Sequence, residues 1–146
     1  MINPAMYSSP LGSFLDESTD SIVGKLTAVH TQNLRNVATQ AWISEIEILK
    51  GALKGVDTEG AYIFLEFYIP RIGRRADVVI IIKGLIFVVE FKVGAKSFFA
   101  EDVRQSHGYA LDLKNFHKGS HDKLIVPMLL ATHSEEINDK LFLDIR

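Results

Sequence analysis

The chain has no cysteine among its 146 residues. That excludes disulfides, thiolate-bound zinc, iron–sulfur clusters and thiol nucleophiles. It also lacks a long apolar run: even the longest, such as Val78 to Ile82, are far too short to cross a bilayer. The opening MINPAMYSSP has neither the basic segment nor the apolar stretch of a secretory signal. The expectation is therefore a soluble cytoplasmic protein with no membrane contact. Charge of one sign is scarce too. The formal net charge is −2, which argues against a broad nucleic-acid-binding surface, since phosphate contacts come from Lys and Arg.

The distribution of charge is more informative than its sum. Residues 1–59 carry four basic and seven acidic groups, whereas residues 60–123 carry ten basic and seven acidic. The second stretch thus has a local balance of +3. Hydrophobic residues make up 47% of the chain, enough for one sizeable core in a single domain.

Along the chain, residues 1–12 hold Pro4, Pro10, Gly12 and paired serines, and read as an irregular lead-in to a single domain over 13–146. Apolar spacing from Ser13 to His30 predicts a helix with a break near Ser18–Thr19. A second helix runs from Asn33 to Leu53, with Trp42 on its apolar side and Gly55 where it should stop. The pattern then changes to strands over Tyr62–Ile69, Ala76–Ile82 and Leu85–Lys92, the last two joined by a Lys83-Gly84 turn. Helical period returns from Glu101 to His117. Leu124–Thr132 is a final strand, and Pro127 places it at an edge or a bulge. A short helix over Ser134–Leu141 closes the expected order α-α-β-β-β-α-β-(α). This is an α/β (α+β) domain with a central mixed sheet of about four strands.

A two-residue loop at 83–84 makes opposed positions on its hairpin sum to 167, which sets Asp77 across from Glu90. Lys92 lies two residues beyond Glu90, so the strand period puts it on the same face. Everything around them, DVVIII on one strand and LIFVVEFK on the other, is apolar. Two opposed carboxylates in such a sheet repel and lose hydration, at a cost of several kcal/mol unless something compensates. A hard divalent cation would compensate, because Mg²⁺ or Mn²⁺ takes carboxylate oxygens and keeps several waters. Without one, the acids and Lys92 would form a simple ion-pair network. His117 and His121 have metal-ligand spacing, but Gly119 between them favours a loop pair.

Asp77, followed after twelve residues by Glu90-Phe91-Lys92, resembles the PD-(D/E)xK nuclease signature, here without the preceding proline. Gln105 and Tyr109 resemble the Q-x-x-x-Y motif of RecB-type members. IPRIGRRADVVIII, VVEFKVG and YALDLKNFH are similar to the nuclease-like domain that precedes Schlafen-group helicase domains in bacterial proteins, over about residues 35–132. The resemblance implies a restriction-endonuclease-like fold and Mg²⁺- or Mn²⁺-dependent phosphodiester hydrolysis of DNA or RNA. It further implies a helicase partner, whose P-loop does not occur in these residues. Asp77 and Glu90 would hold metal, Lys92 would act on water and phosphate, and Gln105 would orient Lys92 or the substrate. An acid from the preceding helix would complete the site. Glu45, on the stripe with Trp42 and Leu49, is preferred to Glu47, and Glu66 is a further candidate. Arg71, Arg74, Arg75 and Tyr109 would contact substrate. The competing reading is a catalytically silent module of the same fold that binds nucleic acid or a helicase domain.

Overall fold

A computed structural model describes residues 4–29, 35–70, 73–92 and 124–131. The elements are β1 (Ala5–Pro10), α1 (Leu11–Asp16), α2 (Thr19–Val29), α3 (Arg35–Leu53), β2 (Tyr62–Ile69), β3 (Arg74–Ile82), β4 (Leu85–Lys92) and β5 (Leu124–Ala131). The five strands form one sheet in the order β1-β2-β3-β4-β5. The first three pairings are antiparallel, and β5 joins β4 in parallel. The architecture is mixed α+β, as expected, with five strands rather than four. No helix among the described residues is long and apolar enough to cross a membrane.

The extra strand is β1, in a segment expected to be irregular. It pairs from Ala5↔Phe67 to Pro10↔Tyr62, an arrangement set by distant residues rather than by local pattern. Pro10 is tolerated because β1 lies at the sheet edge, where a missing N–H costs no ladder bond. Pro127 lies on β5, the strand at the other end of the sheet among the described residues.

The expected helix break is present between α1 and α2. Ser18 caps α2, its hydroxyl accepting the Ser21 N–H at 3.1 Å. Ser18→Ala should cost about 1 kcal/mol, read as a lower urea midpoint at unchanged slope. α3 ends as the sequence predicts, with Gly55 in the left-handed region (φ 83°). Lys83 and Gly84 both have positive φ (49° and 80°), the geometry of a primed hairpin turn. Ile82↔Leu85 through Val78↔Val89 are the resulting pairs, which is the register the sequence predicts.

Two cores result. The first unites α1, α2 and α3 with the sheet through Leu11, Phe14, Ile22, Leu26, Trp42, Ile46 and Leu49. The second, which contains no residue of these helices, gathers Ala5, Phe67, Ile69, Ala76, Val79, Ile86, Val88 and Ile125. The expected helices over 101–117 and 134–141 lie outside the described residues.

Candidate metal centre on strands β3 and β4

Strand alternation fails at one place. On β2, Ile63 and Leu65 belong to the helix-side core but Phe67 and Ile69 to the second core. On β3, Val78 and Ile80 belong to the helix-side core, whereas Ala76 and Val79 belong to the second. A regular strand would keep Leu65 with Phe67 and Ala76 with Val78. The change of face falls on Glu66 and Asp77. Glu66 has φ 54°, a left-handed conformation costly for a glutamate, and appears in neither of its ladders. Its carboxylate is thereby turned to the helices, where Trp42 Nε1 donates to Oε1 at 3.1 Å.

Asp77 and Glu90 meet as the register requires, one step past the Val78↔Val89 pair. Their side chains take over from the ladder. The Asp77 N–H donates to Glu90 Oε1 at 3.2 Å, and the Phe91 N–H donates to Asp77 Oδ2 at 2.8 Å. Each carboxylate is thus fixed by the backbone of the opposite strand. Glu90 is the one charged residue among the described residues that is buried, at 7% exposure.

Electrostatics tie four acids together. Burial pushes the Glu90 carboxyl up to about 10, and the Asp77 charge and a hydrogen bond shared with that side chain add to it. Burial, then the charges of Asp77 and Glu66, raise Glu45 to about 8. Glu66 rises to about 7, chiefly through burial and against the lowering effect of the Trp42 bond. Glu45 therefore lies toward Asp77, as its place on the Trp42 stripe predicts. Glu47 is turned away and accepts from the Thr19 hydroxyl at 2.8 Å.

No family model, curated protein or solved structure matches the chain. The site must be judged on its own chemistry.

That chemistry is an all-oxygen donor set, the kind that Mg²⁺ and Mn²⁺ prefer. Among the described residues no three acidic or histidine side chains converge on one point. The fit is therefore to a cation held by one or two carboxylates, with waters filling the remaining positions, as is usual for Mg²⁺.

The other expected site residues divide as follows. Lys92 closes β4, its backbone paired with Ala131, and its side chain is outside the described residues. Arg71, Gln105 and Tyr109 also lie outside them. Arg74 is exposed at the start of β3. Arg75 is engaged with the protein itself, donating to the carbonyls of Glu66 (2.7 Å) and Pro4 (3.2 Å). The sequence places Trp42 on the α3 stripe, three residues before Glu45, but carries no sign of its bond to Glu66, and nothing local announces the structural use of Arg75.

The raised carboxyls carry a pH dependence. A glutamate that stays protonated in the folded chain but ionises near 4.5 unfolded gives the native state more bound protons. Stability then falls as pH rises, by up to about 1.4 kcal/mol per pH unit for each such group. In chelator, the melting temperature should decline steadily between about pH 5 and pH 8. A flat or rising profile in calorimetry over that window would contradict the buried-acid cluster.

Proposed function

We propose that this chain is a divalent-metal-dependent nuclease that hydrolyses nucleic-acid phosphodiester bonds, built on a restriction-endonuclease-like sheet. The observation that carries the reading is the Asp77–Glu90 pair, two carboxylates locked to each other's strands inside an apolar sheet. Such a pair is costly without a cation and useful with one. When bound, Mg²⁺ or Mn²⁺ would lower the pKa of a coordinated water and polarise a phosphoryl oxygen. Asp77 and Glu90 would hold that ion directly, and Glu45 would assist from α3 through one of its waters. Lys92, at the position two residues past Glu90, orients the attacking water and offsets charge developing on the phosphate. Gln105 orients Lys92 or the substrate. Arg71, Arg74 and Tyr109 engage DNA or RNA. The cellular setting that fits is cytoplasmic, with a helicase domain as partner.

The second reading is a silent module of the same fold that binds nucleic acid or docks a helicase domain. It is separated by one experiment. Purified protein is incubated with DNA and RNA in Mg²⁺ or Mn²⁺, wild type beside Asp77→Ala and Lys92→Ala. Metal-dependent cleavage lost in both variants supports the nuclease. Cleavage that survives both would sink the assignment, and nucleic-acid binding indifferent to chelator, without cleavage, would favour the silent module.

A further inference from the structure

Glu66 is a conformational anomaly in the middle of a strand. A non-glycine residue in a sparsely populated backbone region is retained only where its surroundings over-determine it. Here two side chains do so from opposite ends of the residue. Trp42 Nε1 holds the Glu66 carboxylate at 3.1 Å, and the Arg75 guanidinium holds its carbonyl at 2.7 Å. Arg75 is itself held, because it donates to the Pro4 carbonyl at 3.2 Å and its guanidinium lies 5.4 Å from the centre of the Tyr68 ring. Tyr68 in turn donates its N–H to the same Pro4 carbonyl at 2.8 Å.

We propose that Arg75 and Glu66 are positioning residues of the acid site: Arg75 clamps Glu66 in its left-handed turn, and Glu66 docks α3 through Trp42, which sets Glu45 toward Asp77. The proposal rests on the metal-centre reading, and it assigns to Arg75 a task other than phosphate contact. Its physical content is the change of face. If Glu66 relaxed to an extended conformation, regular alternation would carry its carboxylate away from the helices and away from Trp42. One turn along α3 from Trp42, Glu45 would lose the polar contact that fixes this turn of the helix against the sheet, while Ile46 and Leu49 keep the helix packed. A hydrogen-bonding shell of this kind around a ligand set is worth about 10- to 100-fold in metal affinity or activity.

The test compares Arg75→Ala, Glu66→Ala, Glu66→Gln and Trp42→Phe with wild type and Asp77→Ala, at a temperature where all remain folded. Two quantities are read: the Mn²⁺ concentration at half-maximal rise in melting temperature, and the fluorescence of Trp42, the sole tryptophan. Arg75→Ala and Glu66→Ala should each raise the Mn²⁺ midpoint about tenfold and shift the Trp42 emission. Trp42→Phe should raise the midpoint similarly. Glu66→Gln keeps an acceptor for the indole N–H and should stay within about twofold of wild type. An Arg75→Ala protein with wild-type midpoint and wild-type emission overturns the proposal. So does one that only melts lower, with both readouts unmoved, since that is a purely structural role. A Glu66→Gln loss as large as that of Glu66→Ala would also overturn it, in favour of direct ligation by Glu66. If wild type shows no Mn²⁺ response while Arg75→Ala still shifts the emission, the metal reading fails and the clamp on Glu66 stands.

Discussion

Asp77→Asn is expected to lower metal-dependent cleavage by about a thousandfold and, in chelator near pH 10, to raise the melting temperature. The two effects have one origin. Losing a ligand that fixes the cation removes several kcal/mol of charge stabilisation in the transition state, at about 1.4 kcal/mol per tenfold in rate. Asparagine keeps a side-chain oxygen to accept the Phe91 N–H, now 2.8 Å from Asp77 Oδ2, so the strand pairing survives. What it removes is the charge that, after burial, does most to raise Glu90. Relieved of that charge, Glu90 ionises at a lower pH in the folded state, which gains about 1 kcal/mol near pH 10, where the wild-type carboxyl first gives up its proton. Added Mn²⁺ should stabilise wild type and leave the variant unchanged, because only a binder of the native state raises its melting temperature. Calorimetry with and without Mn²⁺, beside a cleavage assay, separates the terms. An Asp77→Asn protein that is less stable than wild type in chelator near pH 10 would show that Asp77 serves the fold rather than a cation.

Opposite signs for stability and activity at one residue are what a site built at the expense of its scaffold should give. A structural ion-pair network would lose both together.

Much of this was readable from residue order because the decisive constraints are local. The Lys83-Gly84 turn determines the register of its hairpin, and the register carries Asp77 to Glu90 over five intervening pairs. The Trp42 stripe separates Glu45 from Glu47 by the geometry of a single helix. Tyr62–Ile69 and Leu85–Lys92 have the predicted bounds because apolar, β-branched and aromatic runs end at Pro70 and at the Gly84 turn. What was not readable depends on contacts between distant segments. β1 has one proline, two serines and one tyrosine, and becomes a strand only because β2 offers it an edge. Nothing in FLEF indicates that its glutamate turns left-handed. That conformation follows from an arginine nine residues on and a tryptophan on another element. Arg74 and Arg75 look equivalent in sequence, yet only Arg75 has carbonyls within reach.

The fold itself should be most sensitive at Phe14, where Phe14→Ala is expected to cost about 3–5 kcal/mol. The ring is fully buried at 0% exposure, on a helix of only six residues that has no other large buried side chain except Leu11. It meets Tyr7 of β1 edge-on at a centroid distance of 6.2 Å, so it joins the edge strand to the helix-side core. The Lys50 ammonium of α3 lies 5.7 Å from the ring centre and donates to the Glu17 carbonyl, closing the same junction from above. Truncation leaves a cavity bordered by three elements, none of which can collapse without breaking another contact. A loss of this size is a large share of the ~5–15 kcal/mol available to a domain. It should appear in urea unfolding as a lower midpoint at unchanged slope, while Val29→Ala, at a position 53% exposed, stays within about 0.5 kcal/mol of wild type. Phe14→Leu, which refills most of the space, should recover more than half of the loss. A cost under about 1 kcal/mol for Phe14→Ala would mean that α1 and β1 are not packed as described. The site would then have to stand without its edge strand, including the Pro4 carbonyl to which Arg75 is bound.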